Sequence, residues 1–184
     1  YTPAYDFPTP AKWRERSPLV RAWRLVRTSR PRTFTEKVRY KMLRDHRGLI
    51  VTFADKAAVR DHVAALVGEK YLPEAYLITE DPTELTTVTL PESYVVKPTH
   101  GSGAVVVVSP DAPTDAELPR AEWSWVYRHV RPAAADREHL AAIGRLWLSK
   151  RYGQGPNKEW AYSHIRPRVI VEELLSGPDG AIPD

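Results

Sequence analysis

Tyr94-Val-Val-Lys-Pro-Thr-His-Gly-Ser-Gly-Ala-Val-Val-Val-Val108 reads as strand, short loop, strand. Valine-rich runs favour extended backbone on both sides. Lys97 closes the first run, and the loop is His100-Gly101-Ser102-Gly103. Glycines let backbone N–H groups approach an anion closely, and a lysine at a strand end adds a full positive charge. Together they can grip a phosphate. A hairpin turn that needs positive φ would select the same Gly and Ser. The loop alone leaves both readings open.

Upstream, residues 52–68 carry the clearest helical pattern. Thr52 and Asp55 stand in a capping-box-like relation, Val59, Val63, Leu66 and Val67 line one face, and Gly68 stops the element. The first turn then contains Lys56, which opposes the helix dipole. A phosphate partner would justify that position, although exposed lysines at helix starts are common. Downstream, Arg168-Val-Ile-Val-Glu-Glu-Leu-Leu175 is strongly β-prone and ends on Glu172 and Glu173. Adjacent strand residues point to opposite faces, so only one of the two carboxylates can face a given pocket.

The remaining segments frame these three. Residues 1–12 are Pro-rich and extended in this reading, and 13–30 set Trp13, Val20, Trp23 and Val26 among arginines at near-helical spacing. Thr33 or Thr35 can cap a further helix with Glu36 in its first turn, an apolar face of Val38, Met42 and Leu43, and a stop at Gly48. Ala75–Thr79 reads as a short strand and 81–85 as a brief helical turn. Residues 111–122 read as a polar loop. Residues 121–152 read as two helices divided at Pro132, and Glu159–Tyr162 as a short aromatic turn.

Composition narrows the class. With 184 residues, 42% hydrophobic and 27% charged, the chain has enough material for a globular core. The absence of cysteine excludes disulfides and thiolate metal sites. No apolar run approaches a membrane span, and residues 1–8 lack a signal-peptide pattern. Thirteen Lys or Arg against three acids fall between Lys12 and Arg47, and the remainder is net acidic. Such a block suits an anionic polymer, a membrane surface or nucleic acid, or forms solvated helix faces with arginine stems over apolar surface. No nucleic-acid motif accompanies it, so nucleic acid is not the expected partner. Nucleophile-elbow, zinc-helix, P-loop and dinucleotide motifs are absent, and the six histidines show no metal-ligand spacing.

The order of the elements is more specific than any one of them. Pro31–Lys37, Ala54-Asp55-Lys56, Lys97 with His100-Gly101-Ser102-Gly103, Glu159-Trp160 and Arg166–Glu173 resemble the TupA-like branch of the ATP-grasp superfamily over roughly residues 30–184. That branch takes its name from a protein of teichuronopeptide (cell-wall polyglutamate) synthesis. Pro98-Thr99 departs from the small or polar pair expected there, although Pro98 resembles the wider superfamily.

The resemblance implies an α+β fold, an ATP-grasp nucleotide-binding portion on a mixed or antiparallel sheet flanked by helices. In domain terms it implies a basic N-terminal helical segment over 1–50 and the nucleotide-binding portion over 51–184. Lys56 and Lys97 would reach the α- and β-phosphates of ATP. His100, Gly101, Ser102 and Gly103 would form the flap over them. Glu172 would accept from the adenine amino group, and the backbone of Glu173, Leu174 and Leu175 would meet the adenine edge, as in D-alanine–D-alanine ligases. Asp179 would hold the ribose. The implied activity is ATP- and Mg²⁺-dependent joining of a carboxylate to an amine through an acyl-phosphate, in the cytoplasm, for cell-wall polymer, polysaccharide or peptide natural-product synthesis. Magnesium ligands are expected beyond Asp184, so residues 1–184 alone are expected to be inactive. Two other readings remain open: a non-catalytic module that binds an anionic ligand, and an ATP-grasp kinase.

Overall fold

The computed structural model describes residues 30–153 and 159–177. The expectations for 1–29, for the loop at 154–157 and for Asp179 lie outside those residues. Among the described residues are four α-helices and five strands: α1 (Phe34–Arg44), α2 (Gly48–Ala54), α3 (Ala58–Val67), β1 (Ala75–Thr79), β2 (Tyr94–Pro98), β3 (Val105–Val108), β4 (Tyr127–Val130), α4 (Arg137–Ser149) and β5 (Val169–Glu173). Short 3₁₀ turns link several of them.

The strands form one sheet in the order β1-β5-β2-β3-β4. The first three pairings are antiparallel, and β3 runs parallel to β4. The fold is therefore α+β with a mixed sheet. Strand β2 alternates strictly: Tyr94, Val96 and Pro98 are buried, while Val95 and Lys97 are partly exposed. The buried set shares its face with Val106, Val108, Val169 and Val171, and α4 covers that face with Leu140, Ile143 and Trp147. Trp147 satisfies its indole N–H on the Ser124 carbonyl at 3.0 Å, so its full burial leaves no unpaired donor. Gly144 lets α4 close on the 82–86 turn, since a Cβ there would lie 2.8 Å from Pro82 Cβ.

The opposite face carries the polar groups. Directly paired residues share a face, so Val95↔Glu172 and Lys97↔Ile170 put Lys97 and Glu172 on one side as diagonal neighbours.

Several elements differ from the expected ones. Thr33 caps α1 with the reciprocal Glu36 contact of a capping box. The helix ends at Arg44, however, and Gly48 opens α2 rather than stopping α1. Asp45 is extended at that break and pairs with Arg47 at 2.7 Å. The continuous helix expected over 52–68 is two helices. Asp55 accepts from the Ala57 N–H at 2.9 Å, a local bond that competes with helical pairing and breaks the chain there. Thr52 consequently lies inside α2. Gly68 does terminate α3, at φ +98°, but Leu66 and Val67 are exposed rather than core-facing. The largest correction is in 121–152, where β4 replaces the first expected helix. It is a four-residue edge strand with Tyr127 and Arg128 in solvent, too short to show a period of two.

Candidate functional site

Lys97 sits at the end of β2 and donates from Nζ to Glu172 Oε1 on β5. The other carboxylate oxygen faces Arg60 Nη1 of α3 at 3.5 Å. Glu173, one residue on, turns to the other face. Its carboxylate accepts from the Glu74 N–H at 3.1 Å, and its own N–H donates to the Glu74 carbonyl at 2.8 Å. Leu174 is half-buried and Leu175 exposed beyond the strand.

Lys56 reaches the same region from the turn between α2 and α3, not from a helix's first turn. Four hydrogen bonds place it. Asp55, almost wholly buried, is held by Arg168 Nη2 at 3.0 Å. The Lys56 N–H donates to the Thr99 carbonyl at 3.2 Å. Thr99 is tied to Arg168 twice, through its own N–H to the Arg168 carbonyl at 2.8 Å and through its hydroxyl, which accepts from the Arg168 N–H at 3.2 Å. The ammonium of Lys56 then donates to the Gly101 carbonyl.

The glycine loop is gripped from its other side by aromatic side chains. Trp125 Nε1 donates to the Ser102 carbonyl at 2.8 Å, and the Ser102 hydroxyl lies 2.9 Å from the Tyr152 hydroxyl. The two rings stack with centroids 5.5 Å apart. Gly101 has φ +104°, and a Cβ there would fall 2.7 Å from Tyr152 and 2.8 Å from Trp125. Only glycine satisfies both the dihedral and the space. Gly103 also has positive φ, +87°, but open surroundings. His100 is buried, with Nε2 donating to the Lys150 carbonyl at 3.0 Å. Burial lowers its pKa, which keeps the ring neutral. It anchors the start of the loop and offers no charge to a ligand.

Burial, and then the positive charge of Lys97, push the Lys56 ammonium down to about 8, while Asp55 and Glu172 offset part of that. Two cations that repel each other beside backbone flexed for close approach form a site whose electrostatics an anion would relieve. The arrangement fits a polyphosphate. Among the described residues, no group of three or more His, Asp or Glu is placed to hold a metal ion. A cavity of about 490 Å³ adjoins Arg60, Pro73, Glu74 and Glu173, but neither Lys56 nor Lys97 lines it.

The depressed lysine has a measurable consequence. An anion bound at Lys56 favours the charged form and raises its pKa, so binding takes up a proton. Affinity for ATP is expected to be highest at about pH 7–7.5, where Lys56 is still mostly charged and the terminal phosphate is already ionised. It should then fall as Lys56 deprotonates in the free protein. Calorimetry in buffers of different ionisation enthalpy should show net proton uptake near pH 8–9 that disappears in Lys56→Met. A flat profile in both proteins would remove Lys56 from the anion site.

The structure brings Lys56, Lys97, Glu172 and the His100–Gly103 loop together, and separates Glu173 from them. Reading the sequence missed Arg60, Arg168, Thr99, Trp125 and Tyr152. Arg60 had no local signal, because Lys56 precedes α3 and the spacing of four between them is not a helical one. The two aromatic residues had none either, because nothing local links 125 or 152 to 102.

A family model described as TupA-like ATPgrasp matches residues 36–177. No curated protein and no solved structure matches the chain. No described helix is long and apolar enough to cross a membrane.

Proposed function

The chain belongs to the TupA-like ATP-grasp family, and on that premise we propose that the protein is an ATP-dependent carboxylate–amine ligase. The observation that carries the proposal is the convergence of Lys56, Lys97 and the Gly101–Gly103 backbone at one end of β2, with Glu172 beside them. In this reading Lys56 and Lys97 neutralise the α- and β-phosphates of ATP, and loop N–H groups close over them. Glu172 accepts from the adenine amino group, and the backbone of Leu174 and Leu175 meets the ring edge. Mg²⁺, when bound, would supply further charge neutralisation on the phosphates.

No residue of the chain needs to become covalently attached. The protein orients the carboxylate for phosphorylation and the amine for attack on the resulting acyl-phosphate. The basic block between Lys12 and Arg47 supports an acidic acceptor, as in polymer synthesis, and ATP supply places the reaction in the cytoplasm.

The test supplies purified full-length protein with ATP, Mg²⁺, the standard amino acids as carboxylates, and hydroxylamine as the amine. ADP release matched by hydroxamate is the expected result. ADP matched by a phosphorylated hydroxyl acceptor, with no hydroxamate, would make the protein a kinase. Nucleotide binding without turnover on any carboxylate tried would favour the binding-module reading.

A further inference from the structure

The carboxylate of Glu172 is divided between two cations of different kinds. Oε1 receives Lys97, and Oε2 faces Arg60 at 3.5 Å. The guanidinium is anchored independently, because Nη2 donates to the Pro73 carbonyl in the segment leading to β1. Arg60 and Glu172 are the drier pair, with side chains 15% and 11% exposed, against 22% for Lys97. A carboxylate so removed from water needs a cation to remain charged and fixed. If Lys97 turns to a phosphate, it leaves Glu172 as an anion close to a polyanion. Arg60 is the cation that stays. Its planar fork, tied to backbone, holds direction better than a flexible ammonium.

We infer that Arg60 is a positioning residue that holds the Glu172 carboxylate when Lys97 exchanges it for a nucleotide phosphate, and that it thereby sets a preference for a 6-amino over a 6-oxo purine. The inference rests on the proposed reading of Glu172 as the acceptor for the adenine amino group. A fixed carboxylate accepts from that amino group, whereas the 6-oxo oxygen of a guanine ring meets it acceptor to acceptor. A carboxylate free to rotate loses the discrimination.

The experiment measures Kd for ATP and for GTP by calorimetry in the full-length protein, with Arg60→Gln, Arg60→Lys and Glu172→Gln alongside. Thermal melting checks each fold. Arg60→Gln is expected to lower the ATP-over-GTP preference about tenfold, the weight of one charge-assisted hydrogen bond. Glu172→Gln should abolish most of the preference. A purely structural role for Arg60 would weaken both nucleotides together. An unchanged ratio in Arg60→Gln, with the preference lost in Glu172→Gln, therefore overturns the inference and leaves the reading of Glu172 intact. An unchanged ratio in both variants refutes that reading, and the inference with it. Should Arg60→Gln fail to melt cooperatively, Arg60→Lys decides. It keeps the charge and loses the fork, so a reduced ratio supports the positioning role and an unchanged ratio overturns it.

Discussion

Replacing Lys97 with alanine is expected to weaken ATP binding by about 10- to 150-fold, or ~1.5–3 kcal/mol, the weight of a charge-assisted contact to phosphate. The side chain is half-buried at the end of β2 and ends on Glu172. Removing one partner of a buried ion pair ordinarily costs about 3–5 kcal/mol in stability because the other charge is stranded. Here Arg60 remains 3.5 Å from Glu172, so the variant should fold with a smaller penalty. Calorimetric titration of ATP, wild type against Lys97→Ala, measures the first effect, and chemical denaturation the second. An unchanged affinity in a folded variant would take Lys97 out of the nucleotide site. Lys97→Ala should also relieve Lys56 of a repulsive neighbour, since the charge of Lys97 is one cause of its lowered pKa. The pH above which affinity falls should accordingly move upward.

Gly101→Ala is expected to destabilise the fold by about 2–6 kcal/mol, whereas Gly103→Ala should cost about 1–3. Both glycines have positive φ, and that strain alone accounts for about 1–3 kcal/mol in each. The difference is space. A Cβ at Gly101 falls within 2.8 Å of Tyr152 and Trp125, while nothing lies within 4 Å of one at Gly103. Overpacking adds about 1–3 kcal/mol. The rings cannot retreat cheaply, because each also bonds Ser102. Urea denaturation of the two variants measures the ranking, and equal losses would mean that the aromatic cradle does not constrain the loop. ATP affinity should fall further in Gly101→Ala than in Gly103→Ala, since displacing residue 101 also moves the carbonyl that Lys56 holds.

Much of the architecture was legible locally. The valine-rich run before Lys97 and the apolar run before Glu172 identified two central strands, because β-branched residues favour extended backbone and a fully buried strand must be apolar. Thr33 with Glu36, and Gly68, marked helix ends through backbone groups that need partners. The failures trace to partners outside the local segment. Asp55 breaks the helix by accepting from the Ala57 N–H, and Arg168, more than a hundred residues away, holds the other oxygen of the same carboxylate. The strand β4 exists because β3 supplies its pairing partner, not because Tyr127–Val130 favours extended structure.

The same division runs through the candidate site. The residue types of a polyphosphate grip, two lysines and a loop of small residues, stand in the chain order and at recognisable spacing, since charge and backbone freedom are properties of the residues themselves. Which carboxylate joins them was settled by sheet register. Antiparallel pairing sets Glu172 diagonal to Lys97 and turns Glu173 to Glu74. Arg60, Trp125 and Tyr152 entered only with tertiary structure. An ion pair or a ring contact depends on distance in space, and the chain separates Glu172 from Arg60, and Ser102 from Trp125 and Tyr152, by elements whose packing alone brings them together.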